Sequence, residues 1–336
     1  MGRNVALVLS SGGPRGFAYI GAIEALLERG YTITSIAGSS IGSLIGGIYA
    51  AGKLKDFKEW LYTLKSWKLL SLMDITIGNN HFVKGDKVIS AMMDIVPNVN
   101  IEELPIPYCS VATDLYTGEE VVLNEGKLFT AIRASISIPS LFKPYEINSR
   151  TLIDGAIANA LPLNRVARKD DDILVAFDVN YVDVKNIKQI LANESNRHLE
   201  KKQIEKEKLM EFQKVIEEMK ENSDMSLLKK LKNVGSRSLT ILQGLMDLHN
   251  NGNDDSLDYG KNYFEILERT FNLMNHKNTE LSLALYQPDI LVRMPFDSYG
   301  EINDYAKAQE ISDYGYELMN KSLDSYEKTY YTCWLN

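Results

Sequence analysis

Short apolar runs alternate with stretches of helical spacing along the first half of the chain. Residues 5–9 form a continuous apolar run, which is typical of a buried strand. Residues 16–29 place apolar side chains at helical intervals and end at Gly30, a common helix stop. This order of strand and helix predicts βαβ units and a largely parallel sheet.

The same patterns predict the remaining elements of an α/β domain. Strands are expected at residues 35–37, 108–112, 120–123, 173–179 and 290–292. Helices are expected at residues 43–51, 53–70 and 305–319, the second of them amphipathic with Phe57, Trp60, Leu61 and Leu64 on one face.

Residues 182–285 differ in composition from the sequence on either side. They are rich in Lys, Glu, Asn and Met and contain no proline; the next proline after this segment is Pro288. Apolar residues recur at helical spacing between charges, and a polar cluster marks a loop: Leu209, Phe212, Ile216 and Met219, then Gly252, Asn253, Asp254 and Asp255. We therefore expect a helical insertion at 182–285 in an α/β domain made of residues 1–181 and 286–336.

A nucleophile elbow is predicted at residues 38–42, which read G-S-S-I-G and fit G-x-S-x-G. The motif follows a predicted strand and opens a predicted helix, as this elbow requires. The strained turn needs glycine at Gly38 and Gly42, and it exposes the Ser40 hydroxyl at a helix N-terminus that favours negative charge. A simple helix N-cap at Ser40 is the alternative.

A glycine-rich loop, S-S-G-G-P-R-G at residues 10–16, lies between the first strand and the first helix. Glycines let backbone N–H groups approach an anion, which suits an oxyanion hole or a phosphate site. Because Pro14 has no N–H, the candidate donors are Gly12 and Gly13, with Arg15 as a third. The Arg15 side chain could instead fix the loop or attract an anionic head group.

Two other kinds of glycine-rich site do not fit this loop. A dinucleotide fingerprint fails because Ser11 occupies the first glycine position and no acidic residue lies between Glu28 and Asp56. A phosphate-binding P-loop fails because no Gly-Lys-Ser/Thr follows. A glycine-rich turn without a ligand stays open.

A serine nucleophile needs a base, and the histidines are poorly placed to supply it. The chain has four: His81, His198, His249 and His276. The last three lie in the polar insertion and the first in a loop without a nearby acid, so we interpret all as surface or loop residues. Asp154, which ends an apolar run, is the other candidate base. The pair Asp154-Gly155 is also typical of a hairpin turn, so a purely structural role stays open.

Taken together, these segments resemble the patatin-like phospholipase family. The matching pieces are residues 11–16, 38–42, 112–118, 134–139 and 154–156. The resemblance covers roughly residues 5–180 and resumes weakly at 288–292. It implies a three-layer α/β fold with a central, mostly parallel sheet flanked by helices.

The resemblance also implies roles for particular residues. Ser40 would be the nucleophile and Asp154 the general base of a Ser–Asp dyad, with oxyanion-hole N–H groups from Gly12 and Gly13. The implied reaction is hydrolysis of fatty acyl esters of (lyso)phospholipids or related glycerolipids through an acyl-enzyme, with no metal or cofactor. A thioesterase, a small-ester esterase and a non-catalytic lipid-binding regulatory protein are the alternatives.

The sequence departs from the family pattern at two positions. Ser11 replaces the first of three consecutive glycines in the glycine-rich loop, and Ala156 replaces the second glycine of the Gly-Gly pair that commonly follows the aspartate. The insertion at 182–285 matches no family element. A lid, a wall of an acyl-chain groove, a dimer contact and ordinary helical packing all stay open for it.

Composition limits the other function classes. A net charge of −8 over 336 residues argues against a nucleic-acid binder. Cys109 and Cys333 are too few and too distant for a disulfide framework or a metal site, which favours a reducing compartment. Because no apolar run suits a membrane span or a signal peptide, we expect a cytoplasmic protein that could visit membrane surfaces. Its oligomeric state is left open.

Overall fold

The structure is a computed structural model that describes residues 3–64, 86–138, 142–189, 192, 210, 263–299 and 302–334. The chain divides into two compact units, Met1–Val182 with Leu267–Asn336, and Asp183–Ile266. The site and the elements treated below belong to the first unit, except that the helix Tyr263–Leu285 begins in the second. The helices predicted around Leu209 and the loop at Gly252 lie outside the described residues.

The described residues form one sheet of eight strands. These are β1 Asn4–Leu9, β2 Thr32–Ser39, β3 Tyr108–Asp114, β4 Glu120–Leu123, β5 Tyr145–Ile147, β6 Arg150–Asp154, β7 Ile173–Tyr181 and β8 Ile290–Pro295. Their order is β5-β6-β3-β2-β1-β7-β8, with β4 paired to β3. Neighbours from β3 to β8 are parallel, whereas β4, β5 and β6 pair antiparallel. The predicted central, mostly parallel sheet is confirmed, and its antiparallel pairs make it a mixed sheet.

Helices precede and follow these strands. They are α1 Ala18–Glu28, α2 Ile41–Ala50, α3 Leu54–Thr63, α4 Asp86–Met93, α5 Leu128–Ser135, α6 Ala156–Asn159, α7 Tyr263–Leu285 and α8 Ala308–Trp334, with short 3₁₀ helices at Gly13–Phe17, Ile101–Glu103 and Ile302–Lys307. The helix predicted at 16–29 begins as a 3₁₀ turn with Pro14 near its start, and only then becomes α1. None of the described helices combines the length and apolarity needed to span a bilayer.

Helices cover both faces of the sheet, as the continuous apolar strands predict. On β1, Val5 and Leu7 belong to the core shared with α1, α2 and α8. The alternate residues Ala6 and Val8 pack on the other face, in a cluster that includes Leu283 of α7. Because both faces are buried, the apolar run of β1 shows no alternation. The result is a helix–sheet–helix arrangement that fixes the carboxyl ends of β1 and β2 next to each other.

Candidate active site

The turn between β2 and α2 holds Ser40 in a backbone conformation rare for a non-glycine residue, with φ 51° and ψ −121°. A Cβ atom on Gly38 would lie 2.3 Å from the carbonyl carbon of Gly42, and one on Gly42 would lie 2.3 Å from the Leu9 carbonyl oxygen. The tight turn therefore needs glycine at both positions. Ser40 occupies the helix N-cap position, but its hydroxyl makes no capping bond, so capping does not explain this serine.

The Ser40 hydroxyl lies 2.5 Å from a carboxylate oxygen, Oδ2 of Asp154. The other oxygen, Oδ1, accepts a hydrogen bond from the Ala156 N–H at 2.8 Å. The Thr113 hydroxyl donates to the Asp154 carbonyl at 2.8 Å, which fixes the backbone of this residue. Asp154 and Gly155 lead from β6 into α6, so the pair is not a hairpin turn. The tertiary structure thus joins two residues that are 114 positions apart.

The Asp154 carboxyl group is almost completely buried. Burial raises its pKa to about 7, although hydrogen bonds from Ser40 and Ala156 oppose the shift. A carboxylate with such a pKa can take a proton from a hydroxyl near neutral pH and return it later. The electrostatics of the Ser40–Asp154 pair therefore suit general acid–base catalysis.

For the ester hydrolysis that the family resemblance implies, the rate is expected to rise with pH. Only the ionised carboxylate of Asp154 can accept the Ser40 proton, and burial places its pKa at about 7. We expect kcat/KM to increase as pH passes from 5 to 9 in buffers of constant ionic strength, with a midpoint near pH 7. A profile that is flat over this range, or that falls, would contradict the role of Asp154 as base.

The glycine-rich loop runs from the end of β1 past the nucleophile. The amides of Ser10 and Ser11 donate to carbonyls of Phe177 and Ala160. In contrast, the N–H groups of Gly12 and Gly13 donate no hydrogen bond to any of the described residues. Gly13 has φ +55° and borders the same pocket as Ser40. The loop can therefore present backbone N–H groups to an anion that forms at Ser40.

The Arg15 side chain points away from this pocket and is buried. Its Nη1 donates to the carbonyls of Phe296 at 2.7 Å and Tyr299 at 2.9 Å. Its Nη2 donates to the amide oxygens of Asn180 and Asn272, both at 3.3 Å. The guanidinium therefore ties the glycine-rich loop to β7, α7 and the segment after β8. Any contribution of Arg15 to an oxyanion hole would come from its backbone N–H.

Replacement of Arg15 by methionine is expected to destabilise the fold without changing head-group selectivity. Loss of several buried charge-assisted bonds should lower the free energy of unfolding by about 3 kcal/mol. The variant Arg165→Met is the control, since Arg165 makes a partly exposed ion pair with Glu120 that contributes about 1 kcal/mol or less. Urea unfolding measures both values. Unchanged stability with a selective loss of activity on anionic lipids would place the guanidinium at the substrate instead.

A pocket beside Ser40 is lined almost entirely by apolar side chains and has a volume of about 70 Å³. Its lining residues are Gly13, Phe17, Ser40, Ile41, Leu44, Phe57, Trp60, Leu61, Val88, Met92, Ile136, Ile138, Phe142 and Tyr305. The amphipathic face predicted for α3 forms part of this wall. The contributions of α4 and of the segment after α5 were not predicted, because apolar residues there look like ordinary core.

The histidines supply no base in the described part of the chain. His276 lies on α7 and is buried, so its interpretation as a surface or loop residue is wrong. Its ring packs edge-on against Tyr181 with centroids 6.2 Å apart, and burial lowers its pKa. His81, His198 and His249 lie outside the described residues.

The region that contains this site is similar to a known protein family. The sequence model described as "Patatin-like phospholipase" matches residues 7–167. An uncharacterized NTE family protein of Mycobacterium tuberculosis is 47% identical over 176 residues, which cover 52% of this chain and 49% of that protein. Lysophospholipase NTE1 of Kluyveromyces lactis is 32% identical over 190 residues, which cover 54% of this chain and 13% of that protein.

The chain thus spans about half the length of the mycobacterial relative and a small part of the yeast one. Among solved structures, VipD from Legionella pneumophila aligns with a TM-score of 0.36 and 17% identity, over 56% of this chain and 52% of that chain. This likeness is too remote to support an argument about function. The matched region contains the glycine-rich loop, Ser40 and Asp154, and residues 7–167 are similar to the patatin-like phospholipase family.

Proposed function

We propose that this protein is a serine hydrolase that cleaves fatty acyl esters of lysophospholipids, phospholipids or related glycerolipids. The observation that carries the proposal is the 2.5 Å contact between Ser40 Oγ and Asp154 Oδ2 beside an apolar pocket. The family of residues 7–167 and a relative named lysophospholipase support the same substrate class.

In the first half of the proposed reaction, Ser40 Oγ attacks the ester carbonyl carbon while Asp154 Oδ2 takes the hydroxyl proton. The carbonyl oxygen becomes an oxyanion, which the N–H groups of Gly12 and Gly13 stabilise. The carbon–oxygen bond to the alcohol then breaks, and Asp154 gives its proton to that oxygen. The products of this half are the free alcohol and an acyl ester of Ser40.

In the second half, a water molecule attacks the acyl carbon and loses its proton to Asp154. A second tetrahedral oxyanion forms in the same place and collapses, which breaks the bond to Ser40 Oγ. Asp154 returns the proton to Ser40, and the fatty acid leaves. One carboxyl group therefore acts as base and acid in turn, which a pKa of about 7 allows.

The apolar pocket next to Ser40 is the proposed site of the acyl chain. Each methylene group that it buries contributes about 0.8 kcal/mol to binding. The pocket volume of about 70 Å³ is well below the range of roughly 300–1,000 Å³ for typical ligand sites. This observation favours a small-ester esterase as the second candidate function. A long acyl chain would need additional space beyond this pocket.

The test is hydrolysis of nitrophenyl esters of increasing chain length and of a palmitoyl lysophospholipid, combined with fluorophosphonate labelling. We expect labelling at Ser40, located by mass spectrometry, and hydrolysis of the lysophospholipid. Labelling together with hydrolysis of only short esters would favour the second candidate. Failure of the folded protein to react with the fluorophosphonate would contradict a serine hydrolase altogether.

A further inference from the structure

We propose that Ser135, at the end of α5, is the positioning residue that sets the geometry between Ser40 and Asp154. This inference rests on the proposed function, because it assigns a role in the same reaction. Ser135 lies within the matching piece 134–139, for which the sequence analysis named no chemical role. Its hydroxyl holds the nucleophile elbow, and the backbone of the same segment holds the turn that carries Asp154.

The contact to the nucleophile runs through the Ser135 hydroxyl. This oxygen accepts a hydrogen bond from the Ser40 backbone N–H at 2.8 Å. It donates its own proton to the Val111 carbonyl at 2.6 Å. Ser135 is fully buried, so no solvent can replace either bond. One hydroxyl therefore connects the strained residue of the elbow to the central strand β3.

The contact to the base runs through the backbone of the same segment. The Asp154 N–H donates to the Ser137 carbonyl at 3.0 Å, and the Gly155 N–H donates to the Ser135 carbonyl at 3.3 Å. Ser137 is itself held by the guanidinium of Arg133, whose Nη1 donates to its hydroxyl at 2.7 Å. The segment after α5 thus holds both members of the proposed dyad.

The geometry explains why the hydroxyl matters for rate. Ser40 has φ 51°, and its N–H has Ser135 as its hydrogen-bond acceptor. Without this acceptor, a buried N–H is left unsatisfied, at a cost of about 1–3 kcal/mol. The elbow is then expected to relax and move Ser40 Oγ away from Asp154. A misplacement of about 1 Å can cost roughly 100-fold in rate.

Ser135 acts through Ser40 and does not border the pocket. Its loss should therefore lower kcat while leaving KM close to the wild-type value. A second consequence concerns the base. The hydrogen bond from Ser40 lowers the pKa of Asp154, so weakening this bond should move the midpoint of the pH–rate profile upward. A residue that only supports the fold would not move this midpoint.

The experiment compares Ser135→Ala with Ser110→Ala in the full chain. Ser110 is an equally buried serine whose hydroxyl bonds to Ser43 and Ala131, away from the dyad. The measurements are the second-order rate constant of fluorophosphonate labelling, kcat, KM and the pH midpoint, each per folded protein. For Ser135→Ala we expect labelling and kcat to fall by about 10- to 100-fold, with a raised midpoint. Ser110→Ala should stay within about threefold of wild type.

Wild-type labelling and an unchanged midpoint in Ser135→Ala would overturn the positioning role while leaving the dyad intact. Absence of labelling in the wild-type protein would overturn the proposed function and this inference with it. If Ser135→Ala does not fold, Ser135→Cys replaces it, because sulfur is only a weak acceptor. That variant is expected to be labelled about 3- to 10-fold more slowly, and a wild-type rate would equally overturn the role.

Discussion

Ester hydrolysis is expected to disappear when Ser40 is replaced by alanine, with a fall in kcat of at least about 10⁴-fold. In the proposed mechanism the variant lacks the oxygen that forms the acyl-enzyme, and no other hydroxyl among the described residues bonds to the Asp154 carboxylate. Binding of lipid should persist, because the apolar pocket keeps its walls. The measurement is steady-state hydrolysis of the best substrate, together with circular dichroism to show that the fold is retained.

The neighbouring residue offers a matched control for this substitution. Ser39 is fully buried at the end of β2, and its hydroxyl has no hydrogen-bond partner among the residues that the structure describes. Ser39→Ala therefore removes an equal group from the same elbow without touching the dyad, and its activity should stay within about threefold of wild type. More than a tenth of wild-type activity in Ser40→Ala would show that another residue is the nucleophile.

Replacement of Asp154 by asparagine is expected to lower kcat by about 10²- to 10⁴-fold, the usual contribution of a general base. Asparagine has nearly the same shape, and its oxygen can still accept the Ala156 N–H. It cannot take the Ser40 proton. The loss should therefore appear at every pH, and the rise of activity through pH 7 should vanish. Retention of the wild-type pH profile in this variant would exclude Asp154 as the base.

The same variant is expected to be more stable than wild type at alkaline pH. Burial raises the pKa of Asp154 from 3.8 to about 7, which corresponds to about 4 kcal/mol. Between these pH values the native state holds a proton that the unfolded chain has lost. Wild-type stability therefore falls as pH rises from about 4 to 7 and stays lower above pH 7. Asparagine carries no charge and removes this loss. Urea unfolding at pH 8.5 should therefore give a higher free energy of unfolding for Asp154→Asn than for wild type.

Asp178 provides the control for the stability effect. It is fully buried on β7, and burial raises its pKa to about 6. Asp178→Asn should also become more stable at pH 8.5, for the same reason of charge burial. Because Asp178 does not contact Ser40, this variant should keep most of its activity. Equal loss of activity in both variants would point to a general effect of these buried carboxyl groups and not to a base at Asp154.

The sequence alone predicted where the strands of the parallel part of the sheet lie, because strands buried on both faces are rich in apolar residues. It did not reveal β5 and β6 as a hairpin. Their turn places Asn148 and Ser149 at φ 49° and 63°, a conformation usually signalled by glycine. Both strands are also short, so their periodicity is weak. Local pattern therefore predicts long buried elements better than short ones at a sheet edge.

For the site, the sequence alone pointed to Ser40 through the glycines of its turn, and to Asp154 through family resemblance. Tertiary structure decided what no local pattern contains. It set the distance between two side chains that are 114 residues apart, and it turned the Arg15 guanidinium away from the pocket. It also brought the Ser135 hydroxyl within hydrogen-bond distance of the Ser40 N–H. Motifs record backbone constraints within a few residues, whereas burial, pKa and hydrogen-bond partners depend on which distant segments the fold brings together.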